Sequence, residues 1–237
     1  MNTFGKIQVE LQDHMGSDRD VAMSAWTSTY DKNKMEEKYN DDEKVKTLVS
    51  RLIREGHATP VESVILRFWI RMPIFTDRQY MTHRIQSSSG LSGRYRTLPD
   101  DWFGIPLDCI EILDKSSENQ NWGGEVSKDF DQLCHRANVY YKSQLDLLRN
   151  AEKTGRITNA EFKRVREILR GVLPTAGMVE RTSIWNLRSF SNFQRLRNSD
   201  HAQPEIRQVA KLMLEEVKKN NIAPVAVATL EEIGWRI

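Results

Sequence analysis

Two spacings of apolar residues run through this chain. Ile7, Val9 and Leu11 alternate with polar neighbours, the period of a strand with one buried face. Residues 62–72, rich in Val, Ile, Phe and Trp, alternate in the same way up to a stop at Pro73, and residues 178–186 predict a third strand. Elsewhere the period lengthens to that of a helix. Residues 18–28 predict a helix capped by Asp18, and residues 41–55 carry Val45, Leu48, Leu52 and Ile53 before a glycine stop at Gly56. A helix capped by Thr76 is expected to run to about Gln86. Further helices are expected over residues 125–152, 159–170 (capped by Thr158 or Asn159), 187–196, 204–220 and 224–233, with an irregular stretch from Arg96 to Gly124. Strands and helices interleaved without a repeat or a compositional break predict an α+β fold in a single domain, residues 1–237.

Composition narrows the class. At 39% hydrophobic and 29% charged residues the chain is neither disordered nor membrane-like, and its most apolar stretch, residues 61–75, is interrupted by Arg67 and Arg71. The 35 basic residues are balanced by 33 acidic ones to a formal charge of +2, too even for a general nucleic-acid coat, so neither nucleic acid nor membrane is expected as a partner. Of the basic residues 21 are Arg and 14 Lys, and Arg suits bidentate phosphate contacts. Cys109 and Cys134 form no Cys-x-x-Cys pair, and His57, His83, His135 and His201 have no partner at ligand spacing; no disulfide framework and no metal site are expected. Cys134 and His135 are adjacent, which on a helix splays them by about 100° and argues against a nucleophile–base dyad. Met1–Lys6 leads straight into the first alternating segment without a leader pattern, so a reducing cytoplasm is the expected compartment.

Three segments gather chemistry. Between Arg78 and Arg94, Gln79, His83 and Gln86 would share a helical face that ends at Ser87-Ser88-Ser89-Gly90-Leu91-Ser92-Gly93, a run whose small residues and hydroxyls could admit an anion for Arg94 to clamp. Taken alone, the same run is equally a flexible serine-rich turn. Between Arg170 and His201, Arg188, Asn192 and Arg195 recur at helical spacing while Leu187, Phe190 and Phe193 can face inward; Arg195 and Arg197 also suit a helix C-terminus for electrostatic reasons alone. The third segment is Gly56-His57-Ala58-Thr59-Pro60-Val61-Glu62, where His57 could simply serve the end of the preceding helix.

In combination these segments resemble the flavin-dependent thymidylate synthase family. The resemblance is carried by Gly56-His57-Ala58-Thr59-Pro60, Pro73-Ile74-Phe75 with Arg78-Gln79, His83-Arg84 followed by Ser92 and Arg94-Tyr95, Arg170-Gly171-Val172-Leu173-Pro174, Asn186-Leu187-Arg188-Ser189, and Leu196-Arg197 through Asp200-His201-Ala202-Gln203. It implies an α+β fold with a sheet flanked by helices, and a homotetramer with active sites shared between subunits. It also implies bound FAD and reductive methylation of dUMP to dTMP with methylenetetrahydrofolate and NADPH. In such enzymes the residues matching His57, Thr59, His83, Arg84, Asn186, Arg188, Asn192 and His201 lie around the flavin. Those matching Gln79, Ser92, Gly93, Arg94, Arg170 and Arg197 handle the nucleotide, with Ser92 and Arg197 catalytic.

The chain departs from the family pattern at four positions. Thr82 stands where an Arg commonly opens the motif, Ser63 where a second His is common, and Ser89 and Gly90 replace an Asn-Glu pair. A related C5 methylase or hydroxymethylase of UMP or dCMP therefore stays open, as does a catalytically inactive nucleotide- or RNA-binding homologue.

Overall fold

A computed structural model describes residues 5–118 and 121–237. The opening Met1–Phe4, on which the leader reading partly rests, lies outside the described residues. In chain order the elements are β1 (Gln8–Met15), α1 (Asp18–Trp26), α2 (Lys32–Tyr39), α3 (Asp42–Arg54), β2 (Ile65–Pro73), α4 (Ile74–Tyr80), β3 (Ser87–Gly90), α5 (Leu107–Lys115), α6 (Trp122–Lys153), α7 (Asn159–Leu169), β4 (Met178–Asn186), α8 (Leu187–Arg197), α9 (Pro204–Lys219) and α10 (Pro224–Glu232). Short 3-10 turns stand at Thr59–Ser63 and Arg170–Val172. The strands make one sheet in the order β1-β2-β4-β3, and β1 pairs antiparallel with β2, with a register shift between Leu11 and Asp13. This is the α+β architecture that the two spacings predict.

The chain packs into two compact units, one of residues 5–6, Met72–Asp77 and Gly90–Glu180, the other of Ile7–Arg71, Arg78–Ser89 and Arg181–Ile237. In the second unit β2 buries Leu66, Phe68 and Ile70 completely. α8 turns Leu187, Phe190 and Phe193 inward as its spacing predicts, and the rings of Phe68 and Phe190 stack at 6.1 Å. α9 covers β1 with Ile206, Val209, Met213 and Val217, each burial worth roughly 1.5–3 kcal/mol. Gly56 ends α3 at φ 76, with its N–H on the Ile53 carbonyl and that of His57 on the Leu52 carbonyl, a left-handed stop that only glycine adopts cheaply.

The first unit is built on the 32-residue α6 with α5 and α7. Trp102, Cys134, Ala176 and Phe130 form a small core beside it, with Trp102 Nε1 donating to Asp131 at 2.9 Å. Burial pushes the Cys134 thiol up to about 11, while His135 is exposed, so the adjacent pair is core and surface rather than a dyad. Thr158 opens α7 with a capping box to Glu161.

Five local expectations are corrected. The helix expected from Thr76 to Gln86 spans only Ile74–Tyr80, because the Tyr80 hydroxyl is tied to Ser183 Oγ and Trp185 Nε1 on β4 and the chain then tightens into turns on the Gln79 and Tyr80 carbonyls. Thr76 is buried within that helix rather than capping it. Ser87–Gly90 is an edge strand and not a loop, its small residues exposed along β3. Residues 62–64 belong to the 3-10 turn and its exit, since Pro60 at the start of that turn favours the tight helix before β2 begins. Asp18 caps α10 rather than its own helix, accepting from Val225 and Ala226 N–H at 2.9 and 2.8 Å. α2 and α5 appear where no element was expected; neither buries a residue, and α5 leaves Leu107 and Ile112 exposed.

Candidate functional site

The second unit encloses a cavity of about 1010 Å³ where the end of β4 meets α8. Asn186 marks the junction. Its Oδ1 accepts the Ser189 N–H at 2.7 Å, capping α8 and fixing where the helix begins. From that start the spacing places Arg188, Ser189, Asn192, Leu196 and Arg197 on the cavity wall, while Phe190 and Phe193 take the core. The turns after α4 contribute Thr82, His83, Arg84 and Ile85, β4 contributes Trp185, and the 3-10 turn contributes Glu62.

The polar groups are differently held. Arg188 Nη1 donates to Glu62 Oε1 at 2.7 Å, and Asn192 Oδ1 accepts from Arg195 Nη2 at 2.9 Å. Arg197 Nε donates to His83 Nε2 at 2.9 Å and Nη2 to Thr82 Oγ1 at 3.4 Å. His83 is almost fully buried, and burial together with the Arg197 charge lowers its pKa to about 4, so the ring is neutral at physiological pH. The cavity therefore joins fixed guanidinium and amide donors to the exposed apolar side chains of Ile85 and Leu196, a set suited to an anionic ligand that also carries apolar surface.

Of the residues singled out from sequence, His83, Arg84, Asn186, Arg188, Asn192 and Arg197 meet in this one cavity. His57 and Thr59 instead line a second hollow of about 490 Å³, with Ser24, Ser28 and Arg51 among its walls. Gln79 is hydrogen-bonded to Gln203, and His201 is exposed, its N–H on Ser199 Oγ at 3.3 Å; neither lines the large cavity. Ser92, Gly93, Arg94 and Arg170 belong to the first unit. There Ser92 Oγ accepts the Arg94 N–H at 3.3 Å, Arg94 Nε is paired with Glu167 at 2.7 Å, and a Cβ on Gly93 would stand 3.2 Å from Arg170 Cδ. Glycine thus lets the backbone lie against Arg170. The sequence reading missed Glu62 and Trp185 as cavity walls; the only signal for Glu62 was its place at the end of the Gly56–Pro60 motif. Among the described residues no three His, Cys, Asp or Glu side chains stand close enough to hold a metal.

This sheet with its flanking helices is the flavin-dependent thymidylate synthase-like fold. The chain belongs to the family described as thymidylate synthase complementing protein, matched over residues 10–225. Its relatives include proteins named flavin-dependent thymidylate synthase from Thermotoga neapolitana, 34% identical over 202 residues and covering 85% of this chain and 81% of that protein, and from Pseudothermotoga lettingae, 31% identical over 214 residues, covering 89% and 84%. Among solved structures, a UMP/dUMP methylase PolB from Streptomyces cacaoi, bound with 5-Br dUMP, superposes with a TM-score of 0.74 at 25% identity, covering 99% of each chain. Among the described residues no helix is long and apolar enough to cross a membrane.

Proposed function

We propose that this chain is a flavin-dependent pyrimidine-nucleotide C5 methyltransferase that converts dUMP to dTMP, with FAD as cofactor and methylenetetrahydrofolate and NADPH as cosubstrates. The observation that carries the reading is the convergence of His83, Arg84, Asn186, Arg188, Asn192 and Arg197, drawn from segments about 100 residues apart, on one cavity. The family match across both compact units supports treating residues 1–237 as one functional domain. UMP is a second substrate reading, favoured by the likeness to a solved UMP/dUMP methylase.

The residues present fit a flavin. The cavity is at the upper end of ordinary ligand sites, Ile85 and Leu196 offer exposed apolar surface, and Arg84 and Arg188 offer charge to phosphate oxygens. We assign His57, Thr59, His83, Arg84, Asn186, Arg188, Asn192 and His201 to the cofactor. Gln79, Ser92, Gly93, Arg94, Arg170 and Arg197 are assigned to the nucleotide, with Ser92 and Arg197 in contact with the reacting ring. Bound flavin would supply the electrons that complete the methyl group. Arg197 donates to pyrimidine oxygen where negative charge develops, Ser92 orients the ring, and Arg94 leaves Glu167 to grip the phosphate.

The homotetramer implied by the family has support in the first unit. α6 buries Cys134, Tyr141 and Leu145 yet exposes Leu133, Val139, Tyr140 and Leu147, an apolar face of the kind that oligomers cover. We assign the chain to a reducing cytoplasm, where an exposed thiol such as that of Cys109 stays reduced.

The test is the flavin itself. The purified protein should be yellow, its flavin absorption bleached by NADPH, and Arg188→Ala should lower the bound flavin fraction. A wild-type protein that neither retains nor takes up FAD would refute the reading.

A further inference from the structure

Arg197 closes α8 against two neutral acceptors and no carboxylate. Its Nε donates to His83 Nε2 at 2.9 Å, and its Nη2 reaches Thr82 Oγ1 at 3.4 Å, while Thr82 Oγ1 itself donates to the Gln79 carbonyl at 2.7 Å. No Asp or Glu among the described residues ion-pairs with Arg197, whereas Arg188 in the same cavity is held by Glu62. A guanidinium has donors only, so His83 Nε2 must be the unprotonated nitrogen and the ring proton must sit on Nδ1.

The imidazole is itself fixed. It meets Phe193 edge-on at 4.9 Å and Trp185 at 6.3 Å, and Trp185 Nε1 donates to the Tyr80 hydroxyl at 2.8 Å, which is hydrogen-bonded to Ser183 Oγ at 2.5 Å. Burial and the neighbouring guanidinium keep the ring neutral well below pH 6, so the acceptor persists under working conditions.

We propose that His83 and Thr82 are positioning residues that seat Arg197, fixing its guanidinium in the cavity without neutralising it. The proposal rests on the reading of Arg197 as the residue that contacts the pyrimidine. A carboxylate in this seat would hold the guanidinium as firmly but cancel the charge that Arg197 presents to the nucleotide. An Arg at position 82 would have donors only and could not accept this hydrogen bond. Thr82 is thus a seat built from a hydroxyl, with its own proton already committed to the Gln79 carbonyl.

Two measurements test it. In the FAD-loaded full chain with dUMP, His83→Leu should lower kcat per bound flavin by about tenfold or more, about 1.4 kcal/mol per tenfold, and Thr82→Val by several-fold, both with KM nearly unchanged. His83→Gln, whose amide oxygen can accept, should recover most of the loss. In an Arg197→Ala background neither His83→Leu nor Thr82→Val should lower the residual rate further. Losses that multiply independently of Arg197, or a His83→Gln variant no better than His83→Leu, would overturn the proposal. The second readout needs no turnover: nitrogen NMR of histidine-labelled full chain should show His83 neutral and protonated on Nδ1 from pH 6 to 8. A ring protonated on Nε2, or charged in that range, overturns the seat. If the wild type turns over no pyrimidine nucleotide, the assigned activity fails, and the tautomer alone decides for or against the seat.

Discussion

His83 is a histidine whose surroundings make it an acceptor and not a proton carrier. Its folded pKa, about 4, lies below the roughly 6.5 of an unfolded chain, so between those values the unfolded state binds a proton that the folded state refuses. Its contribution to stability is complete above about pH 6.5 and falls as the pH drops toward 4. Denaturant midpoints measured at pH 7 and pH 5 should therefore differ more for the wild type than for His83→Gln; equal differences would contradict the assignment. Arg94 presents the opposite situation, an exposed guanidinium already paired with Glu167. Charged hydrogen bonds to phosphate are worth roughly 1.5–3 kcal/mol each. Arg94→Ala should therefore weaken dUMP binding about tenfold or more by calorimetry while flavin content stays as in the wild type, and unchanged affinity would remove Arg94 from the nucleotide set.

Elements were legible where a stripe of apolar residues faces a core and illegible where a distant residue decides. The β2 alternation through Leu66, Phe68 and Ile70 and the α8 pattern of Leu187, Phe190 and Phe193 are visible in the chain because burial enforces them. The end of α4 is not, since it depends on Tyr80 meeting Ser183 more than 100 residues later. Asp18 was read as a cap correctly in kind but for the wrong helix: a side chain that caps in three dimensions leaves no local signal at the helix it serves. The convergence of His83, Arg188 and Arg197 was legible through the family resemblance, whereas Glu62 as the partner of Arg188 was not, because the pair forms only when the 3-10 turn comes to α8. Asp18→Ala should cost about 1–2 kcal/mol in urea unfolding, since two N–H groups of α10 lose their acceptor. A loss near zero would mean that water replaces the cap. Gly16→Ala should cost more than about 1 kcal/mol, because the residue sits at φ +87 and a Cβ would approach the Ser63 carbonyl to 2.6 Å. An unchanged unfolding midpoint would show that the β1–α1 turn relaxes.

For the whole molecule, the exposed apolar face of α6 and the proposed homotetramer with shared sites lead to one expectation. Flavin retention should depend on assembly, so serial dilution followed by sedimentation should release FAD as the oligomer dissociates. A stable monomer with a full complement of FAD would show that each chain completes its own cofactor site. The proposed methylation is tested most directly by mass spectrometry of the nucleotide after the flavin-loaded protein is incubated with methylenetetrahydrofolate, NADPH and either dUMP or UMP. A product heavier by one methyl group at C5 is expected from dUMP, formed far more slowly by Arg197→Ala; recovery of both nucleotides unmodified from a protein that holds FAD and binds dUMP would contradict the proposed methylation.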